Sequence, residues 1–409
     1  MTNERKIITF TFAAHYLFHF YELAFPALAL SLAASLGLDL GGVLALAFPM
    51  YLLFGLFSLP WGILADRLGN RLAIIVFFLG TGAGALGTAL SSTPTALMVW
   101  LGVVGFFASI YHPAGMAMIS RGTLNRGTAL GINGVAGSLG MATAPLLAGL
   151  LNWLAGWRWA YLAAALFALL WGAAMAMTPI DETEVKRADT GGEGGQGADM
   201  RRFVVLCLVA TLGGLVYRIN VVSLPPLIEL KAGFLGRSLM EIPWLKAEGL
   251  STMAAGLLVT LIYIVGMFGQ LAGGALADRY RLVRLYLLFN LTCLPLVLMI
   301  RSVTEAPLVI AGAVYVFFAL GIQPIENSLI AHFTPGRWRS TAYGITSVLI
   351  FGVGALAVPW VGKISRDWGL ENVYLLSAAL ICLIVVGILF ISGRDPYFFR
   401  KTGSRKSSS

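Results

Sequence analysis

The stretch Gly62-Ile63-Leu64-Ala65-Asp66-Arg67-Leu68-Gly69-Asn70-Arg71 reads almost like Gly274-Ala275-Leu276-Ala277-Asp278-Arg279-Tyr280-Arg281 far downstream. Each closes one long apolar run and opens another, so a charged turn sits between two membrane-length segments at matching places in two halves. Other landmarks keep the register: Asp66 recurs as Asp278, Pro113 as Pro324 and Pro145 as Pro359, at offsets of 211 to 214 residues. Three agreeing landmarks identify a duplicated chain.

Outward from these turns, apolar runs continue along all 409 residues. The chain is 58% hydrophobic and 11% charged, with a mean hydropathy of +0.84, against about 25% charged residues in soluble domains. Runs of roughly 20 residues cross the ~30 Å hydrocarbon layer as helices, which satisfy their own backbone groups in lipid. The pattern predicts spans over 7–34, 42–64, 72–90, 95–119, 127–151, 157–178, 203–228, 250–276, 282–300, 306–332, 340–362 and 371–392. The expected fold is an all-α membrane protein of twelve transmembrane helices in two six-helix pseudo-repeats. The first run carries His15, His19 and Glu22 and exceeds the apolar region of a signal peptide, so it is read as a retained helix.

This organisation divides the chain into a first bundle (1–180), a Gly-rich charged cytoplasmic linker (181–201), a second bundle (202–393) and a basic cytoplasmic tail (394–409). The loop 231–249 mixes apolar side chains with charges, as expected of a segment lying at the outer interface or of a lid. Substrate sites in parallel repeats of this kind lie between the halves, near the midplane.

The net charge of +9 is a membrane signal, not a nucleic-acid one. With the N-terminus inside, most of the 28 Lys and Arg residues fall on one face, Arg67, Arg71, Arg121, Arg279 and Arg284 among them. The opposite face collects few, such as Arg158, Lys231 and Arg366. The positive-inside rule then predicts cytoplasmic termini and a multi-pass protein of the plasma (inner) membrane. Cys207, Cys293 and Cys382 are isolated within apolar spans and read as packing residues. No Gly-x-x-x-x-Gly-Lys-Ser/Thr loop is present to cradle phosphates, and the polar segments are too short for a nucleotide-binding domain. Neither an enzyme nor a nucleotide-driven pump is indicated.

Ionisable residues inside spans are functional candidates, because burying a charge is costly. His15, His19, Glu22 and Pro26 are spaced four, three and four apart, and so share one face of the first helix. His112 and Glu326 are the further proton-carrying candidates. Arg218 aligns with the first-helix face when Pro26 is matched to Pro225, and a guanidinium there requires an anion. That anion is either Glu22 or a substrate carboxylate, phosphate or phosphonate. Tyr217, Asn220, Asn133, Gln323 and Asn327 join Arg218 as substrate-binding candidates. Two other readings stay open: a buried polar network that sets helix register, and His15 with His19 as metal ligands, for which the sequence offers no converging third ligand. No metal or cofactor is expected, and a proton gradient is the expected energy source.

The first charged turn resembles the signature between helices 2 and 3 of the major facilitator superfamily. The resemblance implies alternating access, with Gly62, Asp66, Arg67, Gly69 and Arg71 as a conformational latch. Asp278 and Arg279 form a weaker copy, with Arg281 where the glycine would stand. Two patterns, His15 followed by Pro26-Ala27-Leu28, and Tyr111-His112-Pro113-Ala114-Gly115, resemble exporters of the fosmidomycin-resistance type. Gly140, Ala144, Pro145 and Gly149 are similar to the Gly-Pro motif of antiporters in the superfamily. Together these imply a secondary transporter, working as a monomer by proton-coupled export (antiport) of a small amphipathic or anionic compound. Uptake or exchange of a small organic anion, or a non-transporting membrane sensor on the same fold, are the alternatives.

Overall fold

A computed structural model describes residues 1–124, 126–182, 199–240, 251–334 and 339–392. Among them, every regular element is helical. The first span is α1 (Asn3–Ala27) with α2 (Ala29–Leu36), and the second is α3 (Leu40–Leu46), α4 (Phe48–Leu56) and α5 (Ser58–Leu68). The third is α6 (Asn70–Leu90), the fourth α7 (Pro94–Ala108) with α8 (Tyr111–Gly122), the fifth α9 (Arg126–Ala155) and the sixth α10 (Trp157–Met177). In the second half, α11 (Met200–Lys231), α13 (Ser251–Ala277), α14 (Leu282–Ser302) and α15 (Glu305–Phe333) are spans seven to ten, with the short α12 (Gly233–Met240) after the seventh. The eleventh joins α16 (Arg339–Ser347), a π-helical turn at Val348–Val353 and α17 (Ala357–Trp368); the twelfth is α18 (Val373–Ser392).

Ten of these segments are continuous, and two bent pairs complete the twelve. The first and second spans, expected to be continuous, bend by 55° and 48°. Proline is the physical reason. Pro26 has no N–H to give to the Glu22 carbonyl one turn earlier, and Pro60 leaves the Leu56 carbonyl in the same condition. In the first span the Tyr51 hydroxyl takes over, donating to the Glu22 carbonyl oxygen at 2.7 Å. A bend made by one span is thus sealed by a side chain from the next.

Helix starts and the linker edges differ from expectation by a few residues. α11 begins at Met200, inside the stretch read as linker, because Asp199 caps it by accepting from the Arg201 and Arg202 N–H groups at 3.1 Å. Asp181 and Glu182, also read as linker, are tied down. The Asp181 N–H donates to Asn3 Oδ1 at 2.9 Å, and the Arg71 N–H donates to Glu182 Oε1 at 2.6 Å. The remaining linker residues 183–198, the tail from 393 onward and positions 241–250 of the outer loop lie outside the described residues.

Leu166, Leu170, Leu208, Leu383 and Val386 point outward and stay exposed, as side chains in contact with lipid tails do. Inside, α9 packs against both α1 and α13, so the fifth and eighth spans join the two halves. Far from the termini the halves are clamped: Arg366 Nε lies 3.4 Å from Asp39 Oδ1, and a Cβ placed on Gly41 would collide with the Gly362 carbonyl. Nearer the midplane, a Cβ on Gly55 would strike the backbone of Gly352 in the π-helical turn. Exposed Gln323 and Asn327 mark the other side, on the half of α15 nearer the termini.

Candidate functional site

α1 carries His15, His19 and Glu22 on a buried face, as their spacing requires. Across from them α11 supplies Arg218, whose side chain is 0% exposed. Arg218 Nη1 donates to Glu22 Oε1 at 2.9 Å, while His19 Nδ1 at 2.8 Å and the Tyr217 hydroxyl at 3.0 Å meet Glu22 Oε2. Beneath the guanidinium lies the Tyr51 ring, with the Arg218 Cζ 4.0 Å from its centroid, a desolvated cation–π contact. The pair answers one of the two readings of Arg218: in this conformation its anion is Glu22.

Glu22 does not exhaust Arg218. Its Nε and Nη2 atoms are buried and have no hydrogen-bond partner among the described residues. Those two N–H groups form one edge of the planar fork that receives two oxygens of a carboxylate or phosphate. A buried donor left unpaired costs about 1–3 kcal/mol, more on a charged group. The arrangement is therefore half-satisfied.

The histidines converge beyond what sequence spacing reveals. His112 enters from α8, and its ring lies 5.4 Å from that of His15 and 6.0 Å from that of His19. His15 stacks on Tyr111 at 4.8 Å, and His112 stacks on Phe351 of the second half at 5.7 Å. Sequence spacing placed no third histidine beside His15 and His19; the fold brings His112 there. Tyr51 and Phe351 were missed, since nothing in their local sequence sets them apart from core aromatics, and Tyr111 was noted only as part of a fourth-span pattern.

The other candidates scatter. Asn133 is buried inside the first bundle: its carbonyl accepts from His15 Nδ1 at 2.7 Å and its Oδ1 from the Tyr111 hydroxyl at 2.7 Å. It supports the histidines. Asn220 turns toward Tyr374 of α18 at 3.4 Å. Gln323 accepts from Gln270 Nε2 at 2.7 Å, and Gln270 in turn accepts from Ser138 of the first half at 2.8 Å. Asn327 is exposed, and its carbonyl receives the Tyr343 hydroxyl. Glu326 is buried in the second bundle, accepting from the Tyr286 hydroxyl at 2.6 Å, with no ion pair among the described residues.

At the turn, Asp66 meets Arg121 at the end of α8, 2.9 Å away. Gly69 adopts φ +92°, a conformation that a side chain would strain. Gly62 lies against Pro113. The Arg71 side chain donates to the carbonyls of Met175, Ala176 and Thr178, tying the third span to the sixth. Arg67 is exposed. Asp278 and Arg279 are exposed and form no ion pair among the described residues. On α9, Gly140 lets Tyr16 of α1 approach, whereas Gly149 and Pro145 face α13, and Ala144 is buried. The glycine–proline stripe thus seats α9 against the first span on one side and the second half on the other.

Two duplicated bundles with a buried charged network at their junction define a membrane transporter of the secondary class. The chain belongs to the major facilitator superfamily, which it matches over residues 9–359. It is 22% identical to a probable hexose phosphate transport protein of Chlamydia muridarum (strain MoPn / Nigg), over 93% of this chain and 89% of the relative. The corresponding protein of Chlamydia trachomatis serovar D is likewise 22% identical, over 94% and 90%. Its fold is similar to that of a bacterial homologue of the human lysosomal transporter Spinster, solved inward-facing and occupied. That similarity has a TM-score of 0.75 at 14% identity and covers 98% of this chain and 100% of the other. A POT family transporter in complex with 5-aminolevulinic acid aligns at TM-score 0.73 and 12% identity, covering 96% of each. The chain is a multi-pass transporter of small molecules, not an enzyme.

Proposed function

We propose that this protein moves a small organic anion of the sugar phosphate class by uptake or exchange, and that Arg218 reads the negative charge. The observation that carries this reading is the half-satisfied guanidinium: Nη1 rests on Glu22 while Nε and Nη2 lack partners at 0% exposure. A phosphate oxygen pair engages that edge, and displacement of Glu22 lets the second half part from the first. The relatives carrying the hexose phosphate name support the substrate class. The test is counterflow in proteoliposomes preloaded with glucose 6-phosphate. Labelled glucose 6-phosphate should accumulate and unlabelled glucose should fail to compete; equal competition by glucose overturns the reading.

A second reading, proton-coupled export, draws support from Glu326, a buried acid whose hydrogen bond comes from Tyr286 and which has no cation beside it among the described residues. In that reading the coupling proton resides on Glu326, away from the Glu22–Arg218 pair. Reversing the imposed proton gradient separates it from the first: an exporter reverses its flux, an exchanger does not. The basic face that holds the charged turns supports cytoplasmic termini.

A further inference from the structure

We infer that His15, His19 and His112 form a site for a divalent borderline transition cation, of which Zn2+ is the type. The three rings come from two spans of the first bundle, and one ligand atom of each lies within 4.8 Å of the others. Their outer contacts set the tautomers. His15 Nδ1 sits 2.7 Å from the Asn133 carbonyl, which only accepts, so His15 donates there and its Nε2 keeps a lone pair. His19 Nδ1 lies 2.8 Å from the Glu22 carboxylate, whose other oxygen is bound to Arg218, so His19 donates too and its Nε2 is bare. His112 Nε2 is buried with no hydrogen-bond partner among the described residues. Carbonyl–histidine and carboxylate–histidine pairs are the arrangement that orients imidazoles and raises their basicity toward a metal.

Only a glycine fits on the ligand side. A Cβ built on Gly137 of α9 would come within 2.7 Å of His15 Nε2 and 2.9 Å of His19 Cδ2. Any side chain there would wall off the nitrogens. A tetrahedral Zn2+ with bonds of about 2.0–2.1 Å holds its nitrogens about 3.3 Å apart, so the cluster must contract. His112 is the ring able to move, since its neighbours are the apolar faces of Phe18 and Phe351, whereas His15 and His19 are pinned. Three neutral imidazoles leave a fourth position for water or an anion.

The test uses the untagged full-length protein in detergent. Zn2+ is titrated in competition with a chromophoric chelator, and Co2+ is added separately to read coordination geometry from its visible absorption. One Zn2+ per chain is expected, with His15→Ala, His19→Ala and His112→Ala each weakening binding at least tenfold. His332→Ala, at the distant end of α15, should change nothing. Gly137→Ala keeps all three ligands and should also weaken binding, because its methyl group would collide with the His15 and His19 rings. Binding that survives in His112→Ala, or that falls equally in His332→Ala, overturns the site. Where a variant fails to fold, the wild-type Co2+ spectrum decides: intense tetrahedral bands support the site, and weak octahedral bands overturn it.

Discussion

Glu22 and Arg218, 196 residues apart in the chain, meet at 2.9 Å in the middle of the molecule and hold the two halves together. Each is buried, and neither charge is tolerable alone in that place. Removing one partner of a buried pair typically costs about 3–5 kcal/mol, because the other is stranded. Arg218→Ala and Glu22→Ala are therefore each expected to lower thermal stability strongly, and the double variant to recover most of that loss. Transport should stay absent in the double variant, since the anion reader is gone. Melting curves and counterflow on the same preparations check both statements; recovered transport would remove Arg218 from substrate recognition. Arg218→Lys keeps charge without the fork, and should weaken glucose 6-phosphate binding while retaining more stability than the alanine variant.

The Asp66–Arg121 pair is half-exposed on both sides, and exposed pairs contribute about 0–1 kcal/mol. Asp66→Asn should therefore leave expression and melting nearly unchanged. Its effect should appear in the transport rate, because the pair ties the second span to the fourth. Asp278→Asn should be milder. A normal rate in Asp66→Asn would leave the turn with a structural role alone.

Glu326→Gln removes the titratable proton and preserves the hydrogen bond from Tyr286. Gradient-driven flux should fall at least tenfold while substrate exchange at equal pH persists. Flux measured with and without an imposed proton gradient distinguishes these; equal loss of both assigns Glu326 to packing or binding.

Asp39 is held below the ordinary carboxylate range, first by the Gly42 N–H that it caps and then by Arg366. A depressed folded value means the contact is fully present above the unfolded value of 3.8 and is lost only as pH falls through the lower folded one. Closure of this mouth should therefore be indifferent to pH between 7 and 5. Accessibility of a cysteine placed at Gly42 to an impermeant thiol reagent measures it; a rise in labelling across that interval contradicts the assignment.

Gly55 approaches the Gly352 backbone so closely that even a methyl group collides with it. Overpacking of this kind costs about 1–3 kcal/mol, here charged against the closed state alone. Gly55→Val should insert and fold, yet stay open at the face far from the termini, with transport reduced at least tenfold. Unaltered transport in that variant would show that the second and eleventh spans do not meet during the cycle.

Much of the site was legible because membrane burial makes polar residues conspicuous. His15, His19 and Glu22 stood out against an apolar helix, and their four-and-three spacing put them on one face. Arg218 was aligned with that face through Pro26 and Pro225. What stayed hidden involved residues ordinary in their own sequence context. Tyr51 is one aromatic among many until Pro26 frees the Glu22 carbonyl beside it. His112 was a proton-carrying candidate from its place in a span, but only the crossing of α8 and α1 brings its ring to His15. Asn133, a substrate-binding candidate in the sequence, is turned by α9 toward His15 and Tyr111.

Long apolar runs and charged turns at equivalent places were enough to specify a duplicated twelve-span membrane protein, because lipid permits few solutions for such runs and each declares itself locally. Helix rotation, the proline bends and the π-helical turn decided which buried groups meet. Those depend on side-chain packing between segments far apart in the chain. The Glu22–Arg218 pair, one of two partnerships left open for Arg218 before folding, and the three-histidine cluster are products of that packing.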